Sequence, residues 1–389
     1  MHSHDPPPNQ SPFDKVHGMH TPPKKEQVSP WAWFVIGGAV LLNTAVNLTW
    51  LSASSAPRST SLWMQVSYPT LNWLSNVSAI LNTLVSIPLP YFYERFGIKA
   101  NLIVAGLINM LGCWIRYLAV LVPEQHRFLV VMVGQTLAAI AGPMVTNTVA
   151  AAFMPLLPRQ PQTPPSYSAC QDRIGVFKGM KMLARQKDFW WLLILASTGF
   201  GMALCFSAII MEAIIPFGYS EQQAGVCVAV IIISGLVGGG VTGYWMGLRN
   251  DHNTIIKIFT PLTIFTYVMF IFQIIRNSLS VIIIACIANG FASYGLFSVY
   301  LELASEMTYP VPECVSNCII SAACSVTTFL FTLILDALRA DGNANPPFHM
   351  QSSLIAASVI VALGSLPCLF LKGDMKRLAV DQSMTTDPK

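Results

Sequence analysis

Four ionisable side chains, Arg116, Glu212, Glu302 and Asp336, stand inside long apolar runs of this sequence. Charge in such surroundings is costly and by default marks a binding site, a proton path or a specific pair. Glu302 precedes Glu306 by four positions, which puts both carboxylates on one helical face. That face suits contact with a cation or carriage of a proton, and it equally suits a helix-end cap or a pair with a loop arginine. Glu212, four residues before Pro216, serves either a gate or simply reaches the interface. Asp336 and Arg339, three apart at a helix end, have the spacing of a surface pair. Arg116 lies near the end of its run, where a long side chain can snorkel. No Walker loop, HExxH, nucleophile elbow or pair of catalytic acids occurs. No enzymatic activity and no cofactor or metal is expected.

The elements that must hold these residues are membrane helices. Hydrophobic residues make up 53% of the chain and charged residues 10%, far below the roughly 25% charged of soluble domains. A helix needs about 20 apolar residues to cross a bilayer core. Such runs occur at 31–53, 72–92, 100–122, 128–153, 189–215, 223–247, 254–275, 279–304, 314–338 and 350–371. The expected fold is an all-α, multi-pass membrane bundle of about ten spans. No cleavable signal peptide is visible, because the first 30 residues are polar and Pro-rich. That tail holds His2, His4, His17 and His20 and reads as disordered. The cysteines form no CxxC pair; Cys314, Cys318 and Cys324 share one span and read as small packing residues. Asn47-Leu-Thr and Asn76-Val-Ser match the glycosylation pattern inside spans, where no glycan could be attached.

Lys and Arg collect in cytoplasmic loops of membrane proteins. With the N-terminus inside, 17 of the 22 fall on the cytoplasmic side, and only Arg58, Arg127, Arg276 and Arg339 lie opposite. Both termini are therefore expected in the cytoplasm. The net charge of +4 is a topology signal and not a nucleic-acid footprint.

A Pro-rich, then basic, segment at 154–188 divides the spans into four and six. The expected organisation is a cytoplasmic tail 1–30, a four-span bundle 31–153, the linker 154–188, a six-span bundle 189–371 and a cytoplasmic tail 372–389. Within the linker, 174–187 alternates apolar and basic residues as a surface-lying amphipathic helix would. On the later group's second span, Gly235, Gly238, Gly239, Gly240 and Gly243 form a small-residue face suited to close helix packing.

The turn after the second span, Glu94-Arg95-Phe96-Gly97-Ile98-Lys99, resembles the acidic-Arg-x-Gly-x-basic loop of the major facilitator superfamily. Glu94 stands where that loop usually has Asp, and its opening glycine is absent. A degenerate echo follows at Gly243-Tyr-Trp-Met-Gly247-Leu-Arg249. More specifically, Gly290-Phe291 with Glu302-Leu-Ala-Ser-Glu306-Met-Thr308-Tyr309-Pro310 resembles the feline leukaemia virus subgroup C receptor-related family, which includes the disrupted-in-renal-carcinoma transporter. Tyr219-Ser-Glu-Gln-Gln-Ala-Gly225, Ser234-Gly-Leu-Val-Gly238, Leu111-Gly-Cys-Trp114-Ile-Arg116 and Gly134-Gln135 extend the likeness over most of 31–371. After Asn147-Thr-Val-Ala the family continues into a fifth and a sixth span, whereas here the chain runs to Ala151-Ala-Phe-Met-Pro155. The resemblance thus implies a twelve-span design lacking two helices, an even number that preserves the orientation downstream.

The resemblance further implies an alternating-access carrier of a small organic solute, either a choline- or ethanolamine-like cation or haem, with pyridoxine-like vitamins also among the family's substrates. Trp50 resembles the family's cavity tryptophan, and Phe206 falls about where its aromatic partner, a Tyr, would lie. Aromatic faces attract quaternary ammonium groups by about 0.5–2 kcal/mol per contact. A belt position is the alternative for Trp50 and the expectation for Trp31, Trp33, Trp63 and Trp73. Glu302, Gln135 and Asn43 complete the expected solute-binding set, and Glu94, Arg95, Gly97 and Lys99 the gating loop. The expected partners are the solute and the bilayer, with no nucleic acid and with oligomers left open. Residence would be in the plasma membrane or a vacuolar or lysosomal membrane. The competing reading is a truncated product, such as a splice form, acting as a non-transporting membrane protein or a partner subunit.

Overall fold

A computed structural model describes residues 30–52, 56–153, 174–249, 251–275, 278–373 and 375–379. The N-terminal tail with its four histidines, the Pro-rich 154–173 and the last ten residues lie outside the described residues. The helices are α1 (Pro30–Leu51), the short α2 (Pro57–Met64), α3 (Tyr68–Ser86), α4 (Leu89–Leu118) and α5 (Glu124–Phe153). They continue as α6 (Val176–Arg185), α7 (Lys187–Ile214), α8 (Glu221–Arg249), α9 (His252–Ile275), α10 (Leu279–Met307), α11 (Glu313–Ala337) and α12 (Gln351–Gly364). Eight helical segments among the described residues are long and apolar enough to cross a membrane, from Lys99–Leu121 in α4 through Gln351–Leu369. They fall on the eight later runs; α1 and α3 stand at the positions of the first two.

A bilayer leaves no water for free backbone groups, so an apolar chain of this kind folds as helices. Pro143 inside α5 and Pro261 inside α9 each remove one ladder donor, a loss that neighbouring helices can offset in a membrane bundle. The sharpest break is Gly97, at φ 76° and ψ 166°, which interrupts α4 and starts the crossing segment at Lys99. No atom would crowd a Cβ there. The glycine is needed for its backbone conformation, not for space.

In the first group, α4 and α5 cross where Gly112 and Gly134 meet, a Cβ on Gly112 falling 2.7 Å from the Gly134 carbonyl oxygen. In the second group α7 is the most enclosed helix, with 67% of its apolar stretch buried, against 22% for Lys99–Leu121 and 33% for α8. One apolar cluster fills the space between α7 and α10 around Phe189, Leu192, Val299 and Leu303. A second one surrounds Phe206, Ile209 and Phe270. The glycine face of α8 packs through only part of its length. Cβ atoms on Gly235 and Gly238 would collide with Tyr294 and with the Phe291 carbonyl on α10, whereas Gly240 and Gly243 meet nothing within 4 Å.

The two groups meet along α11, which lies against α3 and α5. The amphipathic tract forms α6, whose Val176, Gly179 and Leu183 are buried against the second group.

Candidate functional site

Polar residues recur on α3 at Asn72, Asn76, Thr83 and Ser86, four, seven and three residues apart and so on one helical face. That face meets α11 and α5 in a seam of neutral hydrogen bonds. Asn82 Nδ2 donates to Ser325 Oγ at 2.7 Å, and Thr83 Oγ1 to the Ala322 carbonyl at 3.4 Å. Asn147 Nδ2 donates to Ser86 Oγ at 3.2 Å while its Oδ1 accepts from Ser321 Oγ at 2.8 Å. Gln135 Nε2 reaches Ser78 Oγ at 3.0 Å, and its buried Oε1 has no partner among the described residues.

One end of the seam is ionic. Arg339 donates to Glu212 and, at 2.8 Å, to Asp336 Oδ1. Asn72 Nδ2 reaches both Asp336 oxygens at 3.0 and 3.2 Å. The Arg339 guanidinium also stands 5.9 Å from the Tyr68 ring centroid. Burial works against the Arg339 charge, but the Glu212 and Asp336 carboxylates outweigh it and raise its pKa above the ordinary value. A second tie at this end joins Ser59 to Glu221, N to Oε1 at 3.0 Å and Oγ to Oε2 at 2.6 Å. The expectation of an exposed Asp336–Arg339 pair is therefore corrected. The side chains of Arg339, Glu212 and Asp336 are 9%, 3% and 14% exposed, because the ends of α7 and α3 close over the turn after α11. Arg116 also does more than snorkel: it donates to the Thr49 carbonyl at 2.9 Å and to Ser52 Oγ, capping the end of α1.

The other expected site residues are dispersed. Trp50 is half-buried on α1, with a buried Nε1 that has no hydrogen-bond partner among the described residues. Phe206 is enclosed in the second group, edge-on to Tyr267 at 5.3 Å and to Phe270 at 4.9 Å. Asn43 ties α1 to α5, its Oδ1 accepting from Thr146 Oγ1 at 3.2 Å. Glu302 is half-buried near the end of α10, and the following turn's Glu306 accepts from the Leu378 backbone N–H at 3.1 Å. In the gating loop Arg95 donates to the Tyr91 hydroxyl at 3.2 Å. Among the described residues none of the ion pairs includes Glu94, Arg95 or Lys99.

No family model matches the chain. Solute carrier family 49 member A3 of Danio rerio is 25% identical, over 92% of this chain and 90% of that protein. The choline/ethanolamine transporter FLVCR2 of Rattus norvegicus is 21% identical over 80% of this chain and 69% of its own length. This chain is related to the feline leukaemia virus subgroup C receptor-related transporters of the major facilitator superfamily. A bacterial homologue of the human lysosomal transporter Spinster, solved inward-facing and occupied, superposes with a TM-score of 0.56 at 11% identity, covering 90% of this chain and 99% of that one. That likeness establishes the fold, and the superfamily relationship makes this a multi-pass membrane transporter. The alignment with the Danio rerio protein extends over 436 positions, more than the 389 residues of this chain. That relative carries residues within the matched region that this chain lacks.

Asn72 and Asn82 in the seam and the bridging role of Arg339 went unread in the sequence, whereas Asn147 was expected among the polar cavity groups. The helical spacing of Asn72, Asn76, Thr83 and Ser86 was the signal that could have found the seam.

Proposed function

We propose that the chain is an alternating-access carrier for a small organic cation of the choline or ethanolamine kind, haem being the other candidate. The observation that carries this reading is the buried Arg339–Glu212–Asp336–Asn72 bridge, which ties the two helix groups at one end of a polar seam. A bridge of this kind must break when the groups rock, and its charge-assisted bonds favour one closed state. The units that rock are 31–153 and 189–371, joined by 154–188, with both termini in the cytoplasm and Glu94-Arg95-x-Gly97-x-Lys99 as the opposing gate. The bridge then closes the non-cytoplasmic side. Trp50, Gln135 and Glu302 serve as solute contacts, whereas Asn43 is bonded to Thr146 and Phe206 is packed on Tyr267 and Phe270. Uptake of labelled choline, ethanolamine and haem into vesicles containing the purified chain tests the reading. Uptake that saturates for one of the three and falls in Trp50→Ala supports it, and none for any of them overturns it.

A second reading, a non-transporting form that needs a partner, is favoured by two observations. Gly240 and Gly243 on α8 have open space beside them, and the Danio rerio relative has residues within the matched region absent here. Insertion of two spans between Ala150 and Ala151 separates the two readings. Uptake present only in the longer chain selects the second.

A further inference from the structure

Helix α6 carries Lys178, Lys181 and Arg185, and Lys187 opens the next helix; all four are exposed. None is in an ion pair among the described residues, and Asp188 is the one carboxylate between 174 and 190. Steps of 100° along a helix place Lys178, Lys181 and Arg185 opposite the buried Val176, Gly179 and Leu183. Phe177 and Ala184 fall together on the flank between these two faces. Phe177 is 77% exposed, an unusual placement for a large apolar ring beside water.

The helix is held firmly in this pose. A Cβ on Gly179 would lie 2.9 Å from Val311, so the backbone presses on the turn after α10. Gln186 Nε2 donates to the Met307 carbonyl at 2.9 Å, and Trp190 Nε1 to the Ala184 carbonyl at 3.0 Å. Trp190, itself half exposed, extends the apolar flank begun by Phe177 and Ala184. An uncompensated basic strip beside an exposed aromatic flank, next to a membrane-crossing helix, matches the boundary between acyl chains and anionic headgroups.

We propose that α6 is a docking surface for anionic phospholipid of the leaflet it faces, with Phe177 and Trp190 entering the acyl boundary and Lys178, Lys181 and Arg185 holding headgroup phosphates. The lipid clamps the second helix group at the linker side, where α6 and Met307 are joined. The attraction of a basic residue to an anionic membrane surface corresponds to about fivefold in affinity per charge.

The test uses the full chain in mixed micelles, titrated with phosphatidylserine or with phosphatidylcholine, with the thermal unfolding midpoint as readout. Phosphatidylserine should raise the midpoint more than phosphatidylcholine, less so as salt increases. The double variant Lys178→Gln with Lys181→Gln should need roughly 25-fold more phosphatidylserine for the same rise. Its midpoint in phosphatidylcholine should stay unchanged, since both side chains are exposed. The matching Lys→Arg pair should behave as the parent. Equal responses of parent and Gln variant, or equal effects of the two lipids, would overturn the proposal. So would reproduction of the rise by inorganic phosphate alone, which would point to a soluble anion.

Discussion

Arg339 and Glu212 are 127 positions apart, yet they form an ion pair with both side chains more than nine-tenths buried. Asp336 shares the same guanidinium and passes the contact to Asn72 on the other helix group. Two carboxylates facing one cation leave the site dependent on Arg339. Removing the cation strands two buried acids, and losses of this kind cost about 3–5 kcal/mol.

Arg339→Gln should therefore lower the unfolding midpoint strongly, or else open the bridged end so that a cysteine placed at Asn76, buried on the seam face of α3, becomes reactive to an impermeant thiol reagent. Combining it with Glu212→Gln should recover part of the loss, because one unpaired charge is then gone. A single variant as stable as the parent and equally closed would remove the bridge from the mechanism.

Trp50→Ala should weaken solute affinity by up to about 2 kcal/mol if the solute is a cation held against the indole face. Trp114, 60% exposed on α4, supplies the control, and Trp114→Ala should leave affinity unchanged. Trp50→Phe keeps a π-surface but not the Nε1–H, so it should retain most of the binding. Equal losses from Trp50→Ala and Trp114→Ala would show that both rings merely touch lipid.

Glycines on α8 should divide by position. A Cβ on Gly238 would lie 2.2 Å from the Phe291 carbonyl oxygen, so Gly238→Ala must separate α8 from α10, an overpacking cost of about 1–3 kcal/mol. Gly240→Ala meets open space and should be neutral or slightly stabilising, since Ala is the better helix former by about 1 kcal/mol. Detergent unfolding midpoints of the two variants check this. In the chain with two inserted spans, a newly acquired penalty at Gly240 would locate an inserted helix on that face.

Gly97→Ala should destabilise the turn into Lys99 by about 1–3 kcal/mol, the cost of an extended backbone at positive φ for a residue with a Cβ. The cause is conformational, since space is free around it. Gly97→Asn should therefore lose about as much as Gly97→Ala, because this backbone region excludes any residue with a Cβ. A loss ordered by side-chain size instead would point to crowding.

What the sequence determined by itself was the class of molecule. Uncharged runs near 20 residues long leave a chain few choices other than membrane helices, because backbone polarity must be satisfied within each segment. The breaks were legible for equally local reasons: Gly97 turns the chain, and the apolar-basic alternation at 174–187 becomes α6. The site was less legible. Helical spacing could say that Asp336 and Arg339 share a face, but not that α7 and α3 would cover it. Phe206 was legible as an aromatic on α7, yet only packing decided that its ring turns to Tyr267 and Phe270. The same holds for the glycines, of which Gly238 meets α10 and Gly240 meets nothing. Periodicity acts through one helix at a time, whereas the neighbour that buries or bridges a side chain comes from far along the chain. Only the tertiary arrangement of α3, α7 and α11 turned two loop-end charges into a buried bridge between the helix groups.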